Sequence, residues 1–173
     1  MVPVRVYVDG IFDLFHAGHE KLFYKAKAKA QEFFPGREVQ LLVGVCDDEV
    51  EQYKRKTVMS YEERTAAVRA SQVAHEVFWA DLTLTEEYIK EHDIHLVIHG
   101  DDFGTEKQKM YYGPAVERGI FTTVPYEAGV STTQLMREAK NEGRFSIDLS
   151  KTLIASAELV RRIQERSLEQ LKI

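Results

Sequence analysis

Five short runs of apolar residues recur along the chain, and stretches with helical spacing of apolar positions lie between them. The runs are Val4–Val8, Val39–Val45, Val77–Trp79, His95–His99 and Phe121–Val124. The helical stretches are His19–Phe34, Tyr61–Ser71, Glu86–Glu91, Met110–Arg118 and Thr132–Glu142. Strands that alternate with helices indicate βαβ units. We therefore predict an α/β fold in which helices cover both faces of a doubly wound, five-stranded parallel sheet.

The last stretch, Asp148–Ile173, has a weaker helical pattern. Its apolar positions are Leu153, Ala157, Val160, Ile163, Leu168 and Leu171, and charges of both signs fill the others. Mixed signs and the lack of Trp or Phe favour a helix packed on its own domain or a second subunit over one on a lipid surface. A frayed tail is the third alternative. We predict a domain of residues 1–145 and a C-terminal helical extension of residues 146–173.

The composition is that of an ordinary globular domain of 173 residues, with 44% hydrophobic residues and a net charge of −5. The negative charge argues against a nucleic-acid binder, whose affinity rests on neutralising phosphates. Cys46 is the single cysteine, which excludes an internal disulfide and favours a reducing, cytoplasmic location. No apolar run reaches the ~20 residues that span a bilayer, and Met1 is close to the first strand. We expect neither a membrane span nor a signal peptide.

Two histidines, His16 and His19, follow the first predicted strand and flank Gly18 at a helix start. Backbone N–H groups and the helix dipole favour an anion there, and in open α/β sheets ligands bind beyond the carboxyl ends of the strands. Imidazoles can donate hydrogen bonds to phosphate oxygens in a phosphoryl-transfer transition state. Two other interpretations remain open from these residues: a metal site completed by Asp9 and Asp13, or a structural polar cluster.

The segment Asp9–His19 resembles the HxGH signature of the nucleotidyltransferase superfamily, specifically its cytidylyltransferase branch. The residues from Tyr7 to His16 are most similar to the phosphocholine and phosphoethanolamine enzymes, and the similarity extends from about Val4 to Lys140. The resemblance implies a Rossmann-like fold, in which His16 and His19 stabilise the α-phosphate of CTP. It also implies nucleotide-binding roles for Gly10, Ile11, Phe12, Asp13 and Gly18, and acceptor-binding roles for Asp9 and Asp13.

A basic stretch, Lys54-Arg55-Lys56, precedes the helical pattern that begins at Tyr61. It could clamp polyphosphate charge, but by itself a solvated basic loop is the favoured interpretation. In the resembling family Lys54 matches the catalytic lysine, implied to contact the α-phosphate and the incoming phosphate. Arg64 matches the arginine of a Glu-Arg pair that helps to order the nucleotide site, and its guanidinium geometry permits bidentate phosphate contact.

The carboxylates of His99-Gly100-Asp101-Asp102 follow the fourth predicted strand, where they can line the same crevice as the histidines. A turn or a helix cap is the alternative. The resemblance implies that this segment borders the nucleotide and the alcohol substrate. Asp101 or Asp102 would match an acceptor ammonium, and Tyr111 and Tyr112 would add cation–π contacts.

Gly129, Ser131 and Thr132 stand before the last helical pattern of the domain. Alone, they indicate only a capped helix start. The resemblance implies that they hold the β- and γ-phosphates of CTP. The chain departs from the family at Tyr126 and Glu127, where an Arg-Thr pair is usual, and at Leu82, where aminoalcohol enzymes carry an aromatic residue.

The resemblance implies transfer of CMP from CTP to a phosphorylated aminoalcohol, giving a CDP-alcohol and pyrophosphate. Mg²⁺ would be held by the triphosphate and water rather than by protein side chains alone. We expect no membrane association and a homodimer, because the family is commonly dimeric with the segment around Val68–Val77 near the contact. The alternatives are a glycerol-3-phosphate enzyme, an ATP-dependent relative, and a catalytically weakened nucleotide-binding regulatory module.

Overall fold

The computed structural model describes residues 2–48, 56–125 and 132, and within them the predicted α/β fold is confirmed. The strands are β1 (Val4–Gly10), β2 (Val39–Cys46), β3 (Glu76–Ala80), β4 (Leu96–Gly100) and β5 (Phe121–Val124). The helices are α1 (Ala17–Phe33), α2 (Tyr61–Ala70), α3 (Glu86–Glu91) and α4 (Thr105–Glu117). All strand pairs are parallel, in the order β3-β2-β1-β4-β5. The last predicted helix of the domain, apart from Thr132, and the C-terminal extension lie outside the described residues.

Alternating side chains of the sheet build two cores, one on each face. Val6, Val8, Leu41 and Val43 face the helices α1 and α2, whereas Tyr7, Leu42 and Val97 face α3 and α4. Strands buried on both sides need such continuous apolar runs, which is why the sequence pattern located them. In β2 the chain packs so closely that a Cβ added to Gly44 would lie 2.7 Å from the Cβ of Ala80.

The helix starts follow from local capping. His16 caps α1, Ser60 forms a capping box with Glu63 at α2, and the Thr85 hydroxyl accepts the Tyr88 N–H at α3. The helix α4 begins at Thr105, five residues before the predicted start at Met110. Its first residues are polar and show no apolar period, so the sequence pattern did not include them. Within the described part of the chain, no helix is long and apolar enough to cross a membrane.

Strand order places the crevice of the sheet between β1 and β4. From β1 the chain winds outward to β2 and β3 on one side and to β4 and β5 on the other. In doubly wound sheets this reversal separates the loops that follow the two central strands, and ligands bind between them. Gly10 and Gly100 end these two strands. The fold therefore predicts that a ligand binds near the residues just beyond Gly10 and Gly100.

Candidate active site

Two adjoining cavities lie at the carboxyl ends of β1 and β4. The histidine cavity is lined by His16, Gly18, His19, Leu22, Lys25 and Asp102, together with Phe12, Gly100 and Pro125. The tyrosine cavity is lined by Cys46, Leu82, Lys107, Tyr111 and Tyr112. Asp9, Gly10, Ile11, His99 and Phe103 line both. The two cavities therefore form one crevice with two compartments.

The turn that connects β1 to α1 holds a costly backbone conformation. Phe12 and Leu14 have φ values of 55° and 48°, in the left-handed region that L side chains rarely adopt. Both side chains are buried, so packing holds the turn in place. Such strain clusters where the surrounding structure fixes a loop for function. Here the strained turn places the start of α1 beside the crevice.

At that entrance the rings of His16 and His19 stack, with centroids 3.8 Å apart and planes 20° apart. Nδ1 of His16 accepts the N–H of Gly18 at 3.1 Å, and Nδ1 of His19 accepts the N–H of His16 at 3.4 Å. The His19 ring also packs against Phe12 and Phe15. Because each Nδ1 accepts a hydrogen bond, each neutral ring carries its proton on Nε2.

Burial keeps this pair uncharged. Desolvation lowers the pKa of His16 to about 4. Desolvation, with a smaller contribution from His16, lowers the pKa of His19 well below its usual value. At neutral pH the pair therefore offers N–H donors and no positive charge. Such preorganised donors suit oxygens that gain charge in a transition state.

Asp13 is brought to the turn, where its carboxylate binds backbone. Its oxygens accept the N–H of Val58 at 3.1 Å and the N–H of Met59 at 3.1 Å. Its own carbonyl accepts the hydroxyl of Thr132 at 2.9 Å. The side chain is buried, so the contacts that the structure shows position the segment before α2 and Thr132. Direct contact of Asp13 with a nucleotide or an acceptor stays a prediction.

Arg64 connects the ends of β1 and β2 with the segment before α2. Its fully buried guanidinium donates to the carbonyls of Ile11 and Cys46, both at 2.6 Å, and to that of Met59 at 3.3 Å. It also pairs with Asp48 at 2.7 Å. These bonds hold backbone at the ends of β1 and β2 and before α2. The role in ordering the nucleotide site, which the resemblance implies for Arg64, stays a prediction. Bidentate phosphate contact by Arg64 stays a prediction.

Asp9 lies where the two cavities meet. The hydroxyl of Tyr112 donates to its carboxylate at 2.7 Å, and that of Tyr7 does so at 3.5 Å. Burial raises the pKa of Asp9, while His99 and the two hydroxyls oppose the rise. Tyr112 reaches Asp9 from a kink in α4, where its φ and ψ are −126° and 22°, two residues before Pro114.

His99 lines the same cavity as the histidine pair. Its Nδ1 lies 2.9 Å from the Gly100 carbonyl and 3.5 Å from Oδ1 of Asp102, and its ring stacks on Phe103. Asp102 therefore faces the histidine cavity, as the sequence suggested. Asp101 is exposed, donates its backbone N–H to Val124, and lines neither cavity.

Some of the other predicted residues lie at the crevice, and others are not described by the structure. The structure brings Gly10, Ile11, Phe12, Gly18, Gly100, Tyr111 and Tyr112 to the crevice. Lys54, Gly129, Ser131, Tyr126 and Glu127 lie outside the described residues. Sequence reasoning missed Lys25, Phe103 and Lys107, which line the cavities. The helical spacing could have indicated Lys25, because it lies on the same face of α1 as Gly18.

Comparison with known proteins points to one family. The chain is 39% identical over 137 residues to choline-phosphate cytidylyltransferase A of Homo sapiens. It is 38% identical over 138 residues to the ethanolamine-phosphate cytidylyltransferase of Dictyostelium discoideum. Each alignment covers 78% of this chain and 36% of the relative, so the chain spans about a third of these relatives' length.

A solved structure supports the fold. The lipopolysaccharide core biosynthesis protein of Thermoplasma volcanium GSS1 superposes with a TM-score of 0.57 at 16% identity, covering 72% of this chain and 98% of that protein. The sequence model of the cytidylyltransferase-like family matches residues 7–138, which include both histidines and β1 to β5 almost entirely. The chain therefore belongs to the cytidylyltransferase-like family.

Proposed function

We propose that the chain transfers CMP from CTP to a phosphorylated aminoalcohol, phosphocholine or phosphoethanolamine, giving a CDP-alcohol and pyrophosphate. The observation that carries this proposal is the neutral histidine pair, with both Nδ1 atoms occupied, at the carboxyl end of β1. The similar proteins named above act, by their names, on choline phosphate and ethanolamine phosphate.

The reaction is an in-line displacement at the α-phosphorus of CTP. An oxygen of the acceptor phosphate forms a bond to this phosphorus, and the bond to the bridging oxygen of the β-phosphate breaks, so pyrophosphate leaves. The acceptor phosphate is already anionic near neutral pH, so no general base is needed. Catalysis then consists of positioning and stabilisation of charge.

In this proposal the N–H donors of His16 and His19 bind the oxygens of the α-phosphate as negative charge develops on them. Lys54 bridges the α-phosphate and the incoming phosphate. Gly129, Ser131 and Thr132 hold the β- and γ-phosphates. Thr132 supports this arrangement, because its hydroxyl bond to Asp13 ties it to the turn that precedes the histidines.

The tyrosine cavity is the proposed compartment for the alcohol. Its aromatic lining, Tyr111 and Tyr112 with Phe103, suits an ammonium group through cation–π contact, and the buried Asp9 carboxylate adds opposite charge. Leu82 lines the same cavity and supplies an apolar contact without a ring. Asp101 and Asp102 stay candidates for the ammonium, and Asp102 has the better position because it lines the adjoining cavity.

Mg²⁺ is the proposed cofactor. Among the described residues, no group of three or more His, Cys, Asp or Glu side chains is arranged to hold a metal ion. The partly exposed Asp102 carboxylate lines the histidine cavity, and it fits as an acceptor for waters of a triphosphate-bound ion. When bound, the ion would neutralise charge on the triphosphate and on the leaving pyrophosphate.

We further propose a cytoplasmic homodimer that associates with neither membrane nor nucleic acid. The edge strand β3 supports a protein contact, because Trp79 exposes 46% of its surface there although its indole N–H is bonded to Asp47. The single cysteine, Cys46, is buried and cannot form an internal disulfide, which is compatible with a reducing compartment. Sedimentation velocity on the purified chain measures the oligomeric state directly.

The activity is tested by measuring pyrophosphate release with CTP, Mg²⁺ and a panel of phosphocholine, phosphoethanolamine and glycerol 3-phosphate. We expect release with one of the two aminoalcohol phosphates and a CDP-alcohol product. Use of glycerol 3-phosphate alone, or of ATP alone, would contradict the assigned substrates. Binding of CTP with no turnover of any acceptor would instead indicate a regulatory module.

A further inference from the structure

The tyrosine cavity combines one acidic and one basic side chain with an aromatic wall. Among the described residues that line it, the one Asp or Glu is Asp9 and the one Lys or Arg is Lys107. Asp9 is buried, whereas Lys107 is exposed on α4. The negative charge therefore lies on the inner side of the cavity and the positive charge on its outer side. Such a cavity suits a ligand that carries charges of both signs, because each charge then meets its opposite.

The helix α4 brings Lys107 to this cavity. Lys107 and Tyr111 stand at positions i and i+4, so they share one helical face, and both line the cavity. Nζ of Lys107 lies 5.7 Å from the centroid of the Phe103 ring, within the range of a cation–π contact. Phe103 lines both cavities. The Lys107 ammonium is therefore beside the ring that borders both compartments of the crevice.

The positive charge of Lys107 does not serve the ammonium group of the acceptor. The aromatic wall and the buried carboxylate of Asp9 both attract a cation. Lys107 opposes them, because like charges repel at close range. An anionic group of the ligand is what its charge matches.

The phosphate of the acceptor is such a group. In phosphocholine and phosphoethanolamine two carbons and an ester oxygen separate the ammonium nitrogen from the phosphorus, so the two charged ends are only a few bonds apart. In the proposed reaction the phosphate reaches the α-phosphorus in the histidine cavity while the ammonium group stays in the tyrosine cavity. The phosphate therefore lies near the border of the two cavities, where Phe103 and the Lys107 ammonium lie. A contact between ammonium and phosphate there is charge-assisted.

We infer that Lys107 binds the phosphate of the acceptor, while Asp9 and the aromatic wall hold its ammonium group. The inference rests on the proposed function for the identity of the acceptor. It extends that function by assigning residues of this chain to each end of the acceptor. It predicts that affinity for a phosphorylated aminoalcohol depends on the charge of Lys107. Affinity for the free aminoalcohol, which has no phosphate, should not need that charge.

The test is equilibrium binding of phosphocholine, phosphoethanolamine and choline to the full chain by NMR titration, which measures weak affinities. Lys107→Gln should weaken binding of both phosphate esters by about tenfold, as for loss of a charge-assisted bond, and should not weaken binding of choline. Lys107→Arg should keep most of the affinity for the esters. Lys107→Glu should lower it further and strengthen binding of choline. Lys109→Gln is the matched control, because Lys109 is also exposed on α4 and lines neither cavity.

Equal affinity for the esters in the wild type and Lys107→Gln would overturn the inference. An equal loss for the esters and for choline would also overturn it, since that result indicates a general effect on the cavity through Phe103. If the esters bind with the expected dependence on Lys107 but no CDP-alcohol forms with CTP and Mg²⁺, only the proposed function fails. If CDP-alcohol forms and Lys107→Gln leaves the KM for the acceptor unchanged, only the inference fails.

Discussion

The rings of His16 and His19 stack at 3.8 Å, and the Nδ1 atom of each accepts a backbone N–H at the start of α1. The nitrogens that cap the helix are therefore the ones that fix the tautomer of the rings. Capping residues normally satisfy helix N–H groups with oxygen atoms of Ser, Thr, Asp or Asn. Here imidazole nitrogens do so, and the Nε2–H groups of both rings are left as hydrogen-bond donors.

The pair should make the fold sensitive to mild acid. In the unfolded chain these histidines bind protons below pH 6.5, whereas in the fold the pKa of His16 is about 4 and that of His19 is well lowered. The unfolded state thus binds more protons in this window, so the free energy of unfolding falls as the pH drops from about 6.5 towards 4. Urea unfolding at a series of pH values measures the slope.

The control for acid sensitivity is the double variant His16→Asn, His19→Asn. Asn caps helices well, so α1 keeps its start while both titrating groups are removed. The double variant should lose stability less steeply between about pH 7 and 5 than the wild type does. An identical slope in the two proteins would show that the pair does not titrate in this way.

Asp13→Asn should loosen the segment that precedes α2. An amide keeps one acceptor oxygen where the carboxylate has two, and it loses the charge that strengthens its bonds to the N–H groups of Val58 and Met59. We expect a loss of ~1–2 kcal/mol in the free energy of unfolding and faster hydrogen exchange at both amides. Asp81→Asn is the control, because Asp81 is exposed and, among the described residues, bonds only the adjacent N–H of Leu82. Unchanged exchange at Val58 and Met59 would contradict the role of Asp13.

Arg64→Lys should destabilise the fold although charge is conserved. One ammonium cannot reproduce the bonds that the guanidinium makes to three carbonyls and Asp48, so buried acceptors lose their donors. We expect a loss of ~2–4 kcal/mol, measured as a lower urea midpoint at an unchanged m-value. Arg69→Lys on the same helix should change little, because the exposed Arg69 makes one side-chain bond within the described part of the chain, to the Val77 carbonyl. Equal effects at the two positions would be inconsistent with this account.

Tyr112→Phe removes the shorter hydrogen bond to the buried Asp9. The charged carboxylate then loses a donor, so we expect the pKa of Asp9 to rise further and the free energy of unfolding to fall by ~1–3 kcal/mol. The KM for the aminoalcohol phosphate should rise, because Asp9 and Tyr112 both line the tyrosine cavity. Tyr24→Phe, on the exposed side of α1, serves as control. Wild-type stability and KM in Tyr112→Phe would refute the link.

Much of the fold could be predicted because its signals are local. Apolar runs such as Val39–Val45 are continuous since β2 is buried on both faces, and the histidine spacing marks the end of β1. The start of α4 could not be predicted, because the residues from Thr105 to Lys109 are polar and lack an apolar period.

Contacts between segments that are distant along the chain could not be predicted from the sequence. Lys25 is one of several lysines along α1, and its bond to the Pro125 carbonyl, which is distant in sequence, distinguishes it from Lys29. Asp13 resembles a ligand-binding carboxylate until the backbone of Val58 and Met59 is placed against it. A charged residue such as Arg64 is expected at the surface, and its burial depends on three carbonyls that come from separate elements.

The most direct measurement follows the label of CTP carrying ³²P at the α-position, with Mg²⁺ and phosphocholine or phosphoethanolamine, in the wild type and in His16→Ala and His19→Ala. The account predicts that the label enters the CDP-alcohol and that each substitution lowers the rate at least ~100-fold, as for loss of a transition-state donor. Label that stays out of every CDP-alcohol in the wild type, or an unchanged rate in both histidine variants, would contradict it.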